Sequence, residues 1–202
     1  ECKQALLTPY ATQSKWIAAD IPGVGQLWLD LMDRGVSLPA LSGNYEPNET
    51  AYFLSQLRHD TVFLDIGANI GWYTLMAITQ GGPEVVVEAF EPHPVLARYL
   101  RRSVIQNHMH AQARLHELAL DEQAGATVIG HVQETRNTGH SWLLTEEEIS
   151  APDAFAGFNA LRARLDDVPM QKPPTLIKID VEGAELRTLK GAAEMLSLHR
   201  PQ

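Results

Sequence analysis

From Thr61 onward, apolar runs of strand length alternate with runs of helical period, and this alternation most constrains the fold. "TVFLDI", "EVVVEAF" and "PTLIKID" read as buried strands, rich in Val and Ile. "WYTLMAIT" reads as a helix stopped by Gly81, Gly82 and Pro83. A second helix is expected over 94–106, with Leu96, Leu100 and Val104 on one face and Pro94 in its first turn. A last helix is expected over 183–198, its buried stripe being Leu186, Leu189, Ala193 and Leu196. "ARLHELAL" reads as a third strand, weaker in signal. "ATVIGHV" and the stretch near "LRARLDDV" read as extra strands flanking the polar loop "QETRNTGHSWLLTEEE". The expected fold class is α/β: a doubly wound, mostly parallel sheet. Such a sheet continues with another strand after its last helix, so C-terminal strands are expected beyond Gln202.

Residues 1–44 read as an N-terminal lead-in packing on a main domain of 45–202. Gly and Pro punctuate this lead-in around one short amphipathic piece, Leu27 to Met32, so a loosely structured segment is expected. "AYFLSQLRH" places Tyr52, Phe53 and Leu57 at helical spacing ahead of the first core strand.

Charge narrows the partners. Sixteen Lys plus Arg against 25 Asp plus Glu give a net charge of -9, which argues against binding a nucleic-acid backbone. The cluster "RYLRR" at 98–102 reads as a solvated helix face. Cys2 is the single cysteine, so neither a disulfide framework nor a Cys-based metal site is expected. That fits a reducing, cytoplasmic location. No window approaches the roughly 18 apolar residues of a membrane span. No basic-then-apolar leader opens the sequence, although a start at Glu1 leaves a removed one open.

The turn after the first core strand carries the chemistry. Asp65, Gly67, Ala68, Asn69, Ile70 and Gly71 lie between an apolar strand and a helix, where backbone N–H groups face the crevice at the sheet's carboxyl edge. A dinucleotide fold calls for three glycines, G-x-G-x-x-G; this turn has G-x-x-x-G and a carboxylate two residues before it. Asp65 would repel a pyrophosphate and attract an ammonium, which suits S-adenosylmethionine better than NAD. Glu91, twenty residues beyond Gly71, is placed to accept hydrogen bonds from ribose hydroxyls. Glu88 faces the opposite side of its strand and is the poorer candidate.

These segments resemble one family. "VFLDIGANIGWYTL", "VVVEAFEPHP", "ELALDEQAG", "NTGHSWL", "ARLDDV" and "LIKIDVEGAELRTLKGA" follow the order and spacing of FkbM-type S-adenosylmethionine-dependent methyltransferases, over roughly Tyr45 to the end. The resemblance implies a class I methyltransferase (Rossmann-like) fold acting on a hydroxyl of a sugar, polyketide or other small metabolite. Carried over by residue, Asp65, Gly67, Ala68, Asn69 and Gly71 would surround the methionine part of the cofactor, with Tyr73 and Thr74 close by. Glu91 would hold the ribose, with His93 standing where asparagine is common. Ala119 to Asp121 would border the adenine.

Strand alternation puts Lys178 and Asp180 on one face of "TLIKID" and Ile177 and Ile179 on the other. Asp180 is the expected orienter of the acceptor hydroxyl or of the cofactor amino group, with Lys178 as its partner and Glu182 at the helix start. A structural Lys–Asp pair is the competing explanation. His140, on the polar loop, is a candidate base, and Trp142 a candidate contact to the acceptor. His116 and His131 read as ordinary strand residues. Asp166 and Asp167 invite a magnesium reading, but adjacent aspartates on a strand point in opposite directions, so no metal is expected. A non-catalytic binding module of the same fold and an NAD-dependent oxidoreductase remain as alternatives. The acceptor and the oligomeric state have no readable code.

Overall fold

The computed structural model describes residues 15–131, 141–143 and 156–202. It opens with an antiparallel hairpin, β1 (Trp16–Ile21) and β2 (Gly25–Asp30), in register from Trp16 opposite Asp30 to Ile21 opposite Gly25. Two helices follow, α1 (Ser37–Leu41) and α2 (Pro47–Gln56). The central unit then runs β3 (Val62–Ile66), α3 (Trp72–Gly81), β4 (Val86–Phe90), α4 (Pro94–Gln106) and β5 (Ala113–His116). After it come β6 (Ala119–Leu120), β7 (Gly125–His131), β8 (Ser141–Leu143), β9 (Ala156–Ala163), β10 (Leu176–Ile179), α5 (Glu185–Lys190) and α6 (Ala193–His199).

The main sheet has the order β10-β3-β4-β5, and every pairing in it is parallel. The chain winds outward from β3 to β5 and returns on the other side of β3 as β10. Strand order therefore reverses at β3, which opens a crevice above the carboxyl ends of β3 and β10. A second sheet, β6-β9-β7-β8, is largely antiparallel and flanks this crevice.

Alternation along the strands divides the core into two layers. Phe63, Val87 and Ala89 join Leu75, Leu100, Leu27 and Leu29 on one face of the sheet. Leu64, Ile66 and Phe90 join Leu120, Leu165, Ala192 and Met195 on the other. All of β3 is buried, as an apolar run in a parallel sheet requires.

Three expectations need correction. The lead-in is not loosely structured: Leu27 and Leu29 alternate inward from a regular strand and are fully buried, and Trp16 stacks on Tyr99 of α4 at 3.7 Å. "ARLHELAL" is not one strand. β5 ends the main sheet where the Glu91 N–H meets the His116 carbonyl, and β6 pairs with β9 instead. The last helix is two, α5 and α6, and between them Gly191 passes so close to Asp121 that an added Cβ would lie 2.0 Å from that residue's carbonyl oxygen. Its buried stripe is Ala184, Thr188, Ala192 and Met195, while Leu186 is 66% and Leu189 40% exposed. The helix expected ahead of the first core strand is present as α2, which buries Phe53 and leaves Tyr52 69% exposed.

The free edge of β10 is met by Gln202, whose N–H donates to the Thr175 carbonyl and whose carbonyl accepts from the Ile177 N–H. No helix among the described residues is long and apolar enough to cross a membrane.

Candidate functional site

A cavity of about 360 Å³ lies at the strand-order reversal, within the size range of small-molecule sites. The turn from Gly67 to Ile70 forms its floor, Glu91 to His93 one wall, and Lys178 to Glu182 the opposite wall. Tyr45 and Glu46, from the chain ahead of α2, also line it. Leu118, Ala119, Leu120, Ile129 and Phe158 add apolar surface.

The floor has its shape because of its backbone. Gly67 has φ 78, and a Cβ there would stand 1.9 Å from the Asp180 carbonyl oxygen, so only glycine lets β3 and β10 converge. The N–H groups of Gly67 and Ala68 both donate to the Phe90 carbonyl. Asn69 adopts φ 52, a conformation Asn tolerates better than most residues, and its side-chain oxygen accepts from the Ile70 N–H.

Glu91 grips this turn. One of its carboxylate oxygens accepts the Asn69 N–H and the other the His93 N–H, both at 2.8 Å. Its side chain is nearly inaccessible, and burial pushes its pKa up to about 7 against the pull of those two backbone donors.

Asp65 is fully buried and is not among the lining residues. Its Oδ2 accepts from the Thr74 hydroxyl at 2.6 Å, and its Oδ1, which has no hydrogen-bond partner, faces Lys178 Nζ at 3.6 Å. Burial raises its pKa, and Lys178 opposes that rise most. Lys178 also donates to the Gly67 carbonyl at 2.8 Å and lies 3.4 Å from Asp180, so one ammonium ties the turn to both carboxylates. The pairing of Lys178 with Asp180 read from strand alternation is thus present, with Asp65 and the Gly67 carbonyl added.

Among the residues singled out by sequence, Gly67, Ala68, Asn69, Tyr73, Glu91, Ala119, Lys178, Asp180 and Glu182 line the cavity. Asp65, Gly71 and Thr74 stand behind it: Gly71 caps α3 at φ 94, and Thr74 holds Asp65. Asp121, placed beside the adenine by the resemblance, is buried and held by Arg162 and Arg187. His116 bonds Glu88 at 2.6 Å beneath the sheet, away from the cavity. His140 lies outside the described residues.

Asp166 and Asp167 sit in a short 3-10 helix (Leu165–Asp167), not on a strand. Asp166 caps α6 by accepting the Met195 N–H at 2.9 Å and pairs with Arg164. No group of His, Cys, Asp or Glu among the described residues is arranged to hold a metal ion.

Sequence reasoning missed Tyr45, Glu46, Leu118, Ile129 and Phe158 as lining residues. They come from elements distant in sequence, and only the stretch "GNYEPNET" carried a local signal: a proline placed to start a helix.

The comparisons with known proteins bear on the family and the fold. The family model for the methyltransferase FkbM domain matches residues 65–202. The methyltransferase sdnD of Sordaria araneosa is 29% identical over 170 residues, covering 71% of this chain and 64% of that protein. The 31-O-demethyl-FK506 methyltransferase FkbM of Streptomyces tacrolimicus is 29% identical over 164 residues, covering 69% of this chain and 62% of that protein. The chain therefore spans less than two thirds of the length of these relatives. In fold it resembles the crystal structure of methyltransferase FkbM from Methylobacillus flagellatus, with a TM-score of 0.50 and 23% identity, over 72% of this chain and 32% of that one. A doubly wound parallel sheet, the glycine turn at its reversal point and a matching model over more than half the sequence together place this chain in the FkbM methyltransferase family.

Proposed function

We propose that this cavity binds S-adenosylmethionine and transfers its methyl group to a hydroxyl oxygen of a small metabolite, such as a sugar or a polyketide. The observation that carries this reading is the chemistry of the lining. The carboxylates of Glu91, Asp180 and Glu182 and one ammonium, Lys178, line it among the described residues. Such a surface disfavours the pyrophosphate of NAD and suits a phosphate-free, cationic nucleoside.

In this reading the residues divide the work. Glu91 accepts from the ribose hydroxyls with the lone pairs that Asn69 and His93 leave. Leu118 to Leu120 and Phe158 give the adenine an apolar slot, with a main-chain contact at Ala119. The Gly67 to Asn69 backbone and Asp180 take the amino-acid end. Asp65, Thr74 and Gly71 act from behind, through Lys178 and the helix start. When bound, the cofactor supplies a methyl group activated by a sulfonium, so the protein's task is alignment and water exclusion. The family and the name of the Streptomyces relative, a 31-O-demethyl-FK506 methyltransferase, support an oxygen acceptor.

Calorimetric titration with S-adenosylhomocysteine, with NAD as control, tests the proposal. Micromolar affinity for the first alone is expected, lost in Gly67→Val. Tighter binding of NAD than of S-adenosylhomocysteine would sink it.

A further inference from the structure

Glu46, a residue that no motif marks, lines the cavity together with Tyr45 and Tyr73. It is half-buried and accepts a hydrogen bond from the Tyr73 hydroxyl at 2.8 Å. Burial first, and then this carboxylate, holds the hydroxyls of Tyr45 and Tyr73 above their ordinary pKa range. Tyr73 is thus the hydroxyl donor that holds this carboxylate, with the Tyr45 ring lining the cavity beside it.

The backbone shows that this arrangement is held in place. Glu46 has φ 44 and stands directly before Pro47, where steric clash with the ring steers a residue toward extended backbone. The strain is clamped from neighbouring elements. The Thr50 N–H donates to the Glu46 carbonyl at 2.8 Å, the Thr50 hydroxyl to the Tyr45 carbonyl at 3.0 Å, and Trp72 Nε1 to the Thr50 hydroxyl at 3.1 Å. Of the five described non-glycine residues with left-handed φ, three (Glu46, Asn69 and Glu182) line this cavity. Strained conformations persist where the surroundings over-determine them and gather at ligand sites.

Charge then limits what this cavity accepts. Lys178, the one Lys or Arg among the described lining residues, is engaged by the Gly67 carbonyl, Asp65 and Asp180. An anionic acceptor entering beside Glu46 would meet carboxylates with no free counter-charge among those residues. We infer that Glu46, held by Tyr73, receives a hydrogen bond from the acceptor's hydroxyl, and that this subsite selects neutral hydroxyl compounds over phosphorylated or carboxylated ones. The inference rests on the cofactor reading above.

The test pairs cofactor affinity with acceptor selectivity. Wild type, Glu46→Gln and Tyr73→Phe would be titrated with S-adenosylhomocysteine. Each would then be assayed with S-adenosylmethionine against neutral alcohols (methyl glucosides and hydroxylated macrolides) and against the 6-phosphate and uronic-acid counterparts of the glucosides. Glu46→Gln is expected to keep S-adenosylhomocysteine affinity within about twofold while kcat/KM for a neutral acceptor falls at least about tenfold. Tyr73→Phe, which keeps the carboxylate and removes one donor, is expected to lower kcat/KM by about threefold or more. Transfer to an anionic member as fast as to its neutral counterpart overturns the inference. So does an unchanged kcat/KM in either variant, or a wild type that binds S-adenosylhomocysteine and methylates no neutral member. Failure of the wild type to bind S-adenosylhomocysteine is a distinct result, which removes the cofactor reading and the inference with it.

Discussion

Glu91 and Gly67 show how much a single residue decides at this site. A carboxyl whose folded pKa is raised holds its proton where the unfolded chain has lost it. Its folded form is therefore favoured at low pH and loses stability as pH rises. For Glu91, raised from 4.5 to about 7, that loss falls between those values and is complete above them. Burial also raises Asp65, which adds a contribution of the same sign. The shift at Glu91 corresponds to about 3 kcal/mol, so unfolding of the ligand-free protein should become easier from pH 5 to pH 8, with a weaker slope in Glu91→Ala. Affinity should run the other way, since only the carboxylate accepts from both ribose hydroxyls. S-adenosylhomocysteine is expected to bind up to about tenfold more tightly at pH 8 than at pH 6, and a flat calorimetric profile would count against the ribose role. At Gly67, alanine meets both a positive φ and the Asp180 carbonyl. The substitution should cost about 1–3 kcal/mol of stability and abolish measurable cofactor binding.

At the scale of elements, buried polar contacts hold the flanking sheet to the main one. Asp121, at the end of β6, accepts from Glu122 N–H, Arg162 of β9 and Arg187 of α5. Burial alone would raise its pKa, but the two arginines and the backbone donor outweigh it and hold it below the usual carboxylate range. Arg187→Met leaves this carboxylate with one arginine and should cost about 2–4 kcal/mol in urea denaturation. A loss under about 1 kcal/mol would mean that Arg162 compensates alone. The strands β3, β4 and β10 and the helices α3 and α4 were legible in sequence because period, length and stop signals agreed. The split of the last helix was not. Leu186 and Leu189 carry a helical period, yet Ala184, Thr188, Ala192 and Met195 are the residues that face the core, and Gly191 marks the close approach to Asp121 between the two helices.

For the whole molecule, the N-terminal hairpin belongs to the core rather than to a strap over it. Leu27 and Leu29 are fully buried in the same layer as Phe63 and Leu100. Leu27→Ala should therefore cost about 2–5 kcal/mol, readable as a lowered thermal midpoint, whereas a peripheral strap would lose far less. That layer was hidden in the sequence because Gly and Pro spacing around β1 and β2 signals turns without saying what the intervening strands pack on. The sequence by itself determined the parallel α/β class, the turn of Gly67 to Gly71 and the position of Glu91, since each depends on residues close along the chain. Tertiary structure alone decided that Asp65 stands behind the cavity rather than in it, and that Lys178 serves Gly67, Asp65 and Asp180 together. It alone brought Glu46 to Tyr73 and Phe158 to His93. These contacts join residues far apart in sequence, and their geometry is set by how the strands converge at β3, which no local pattern encodes.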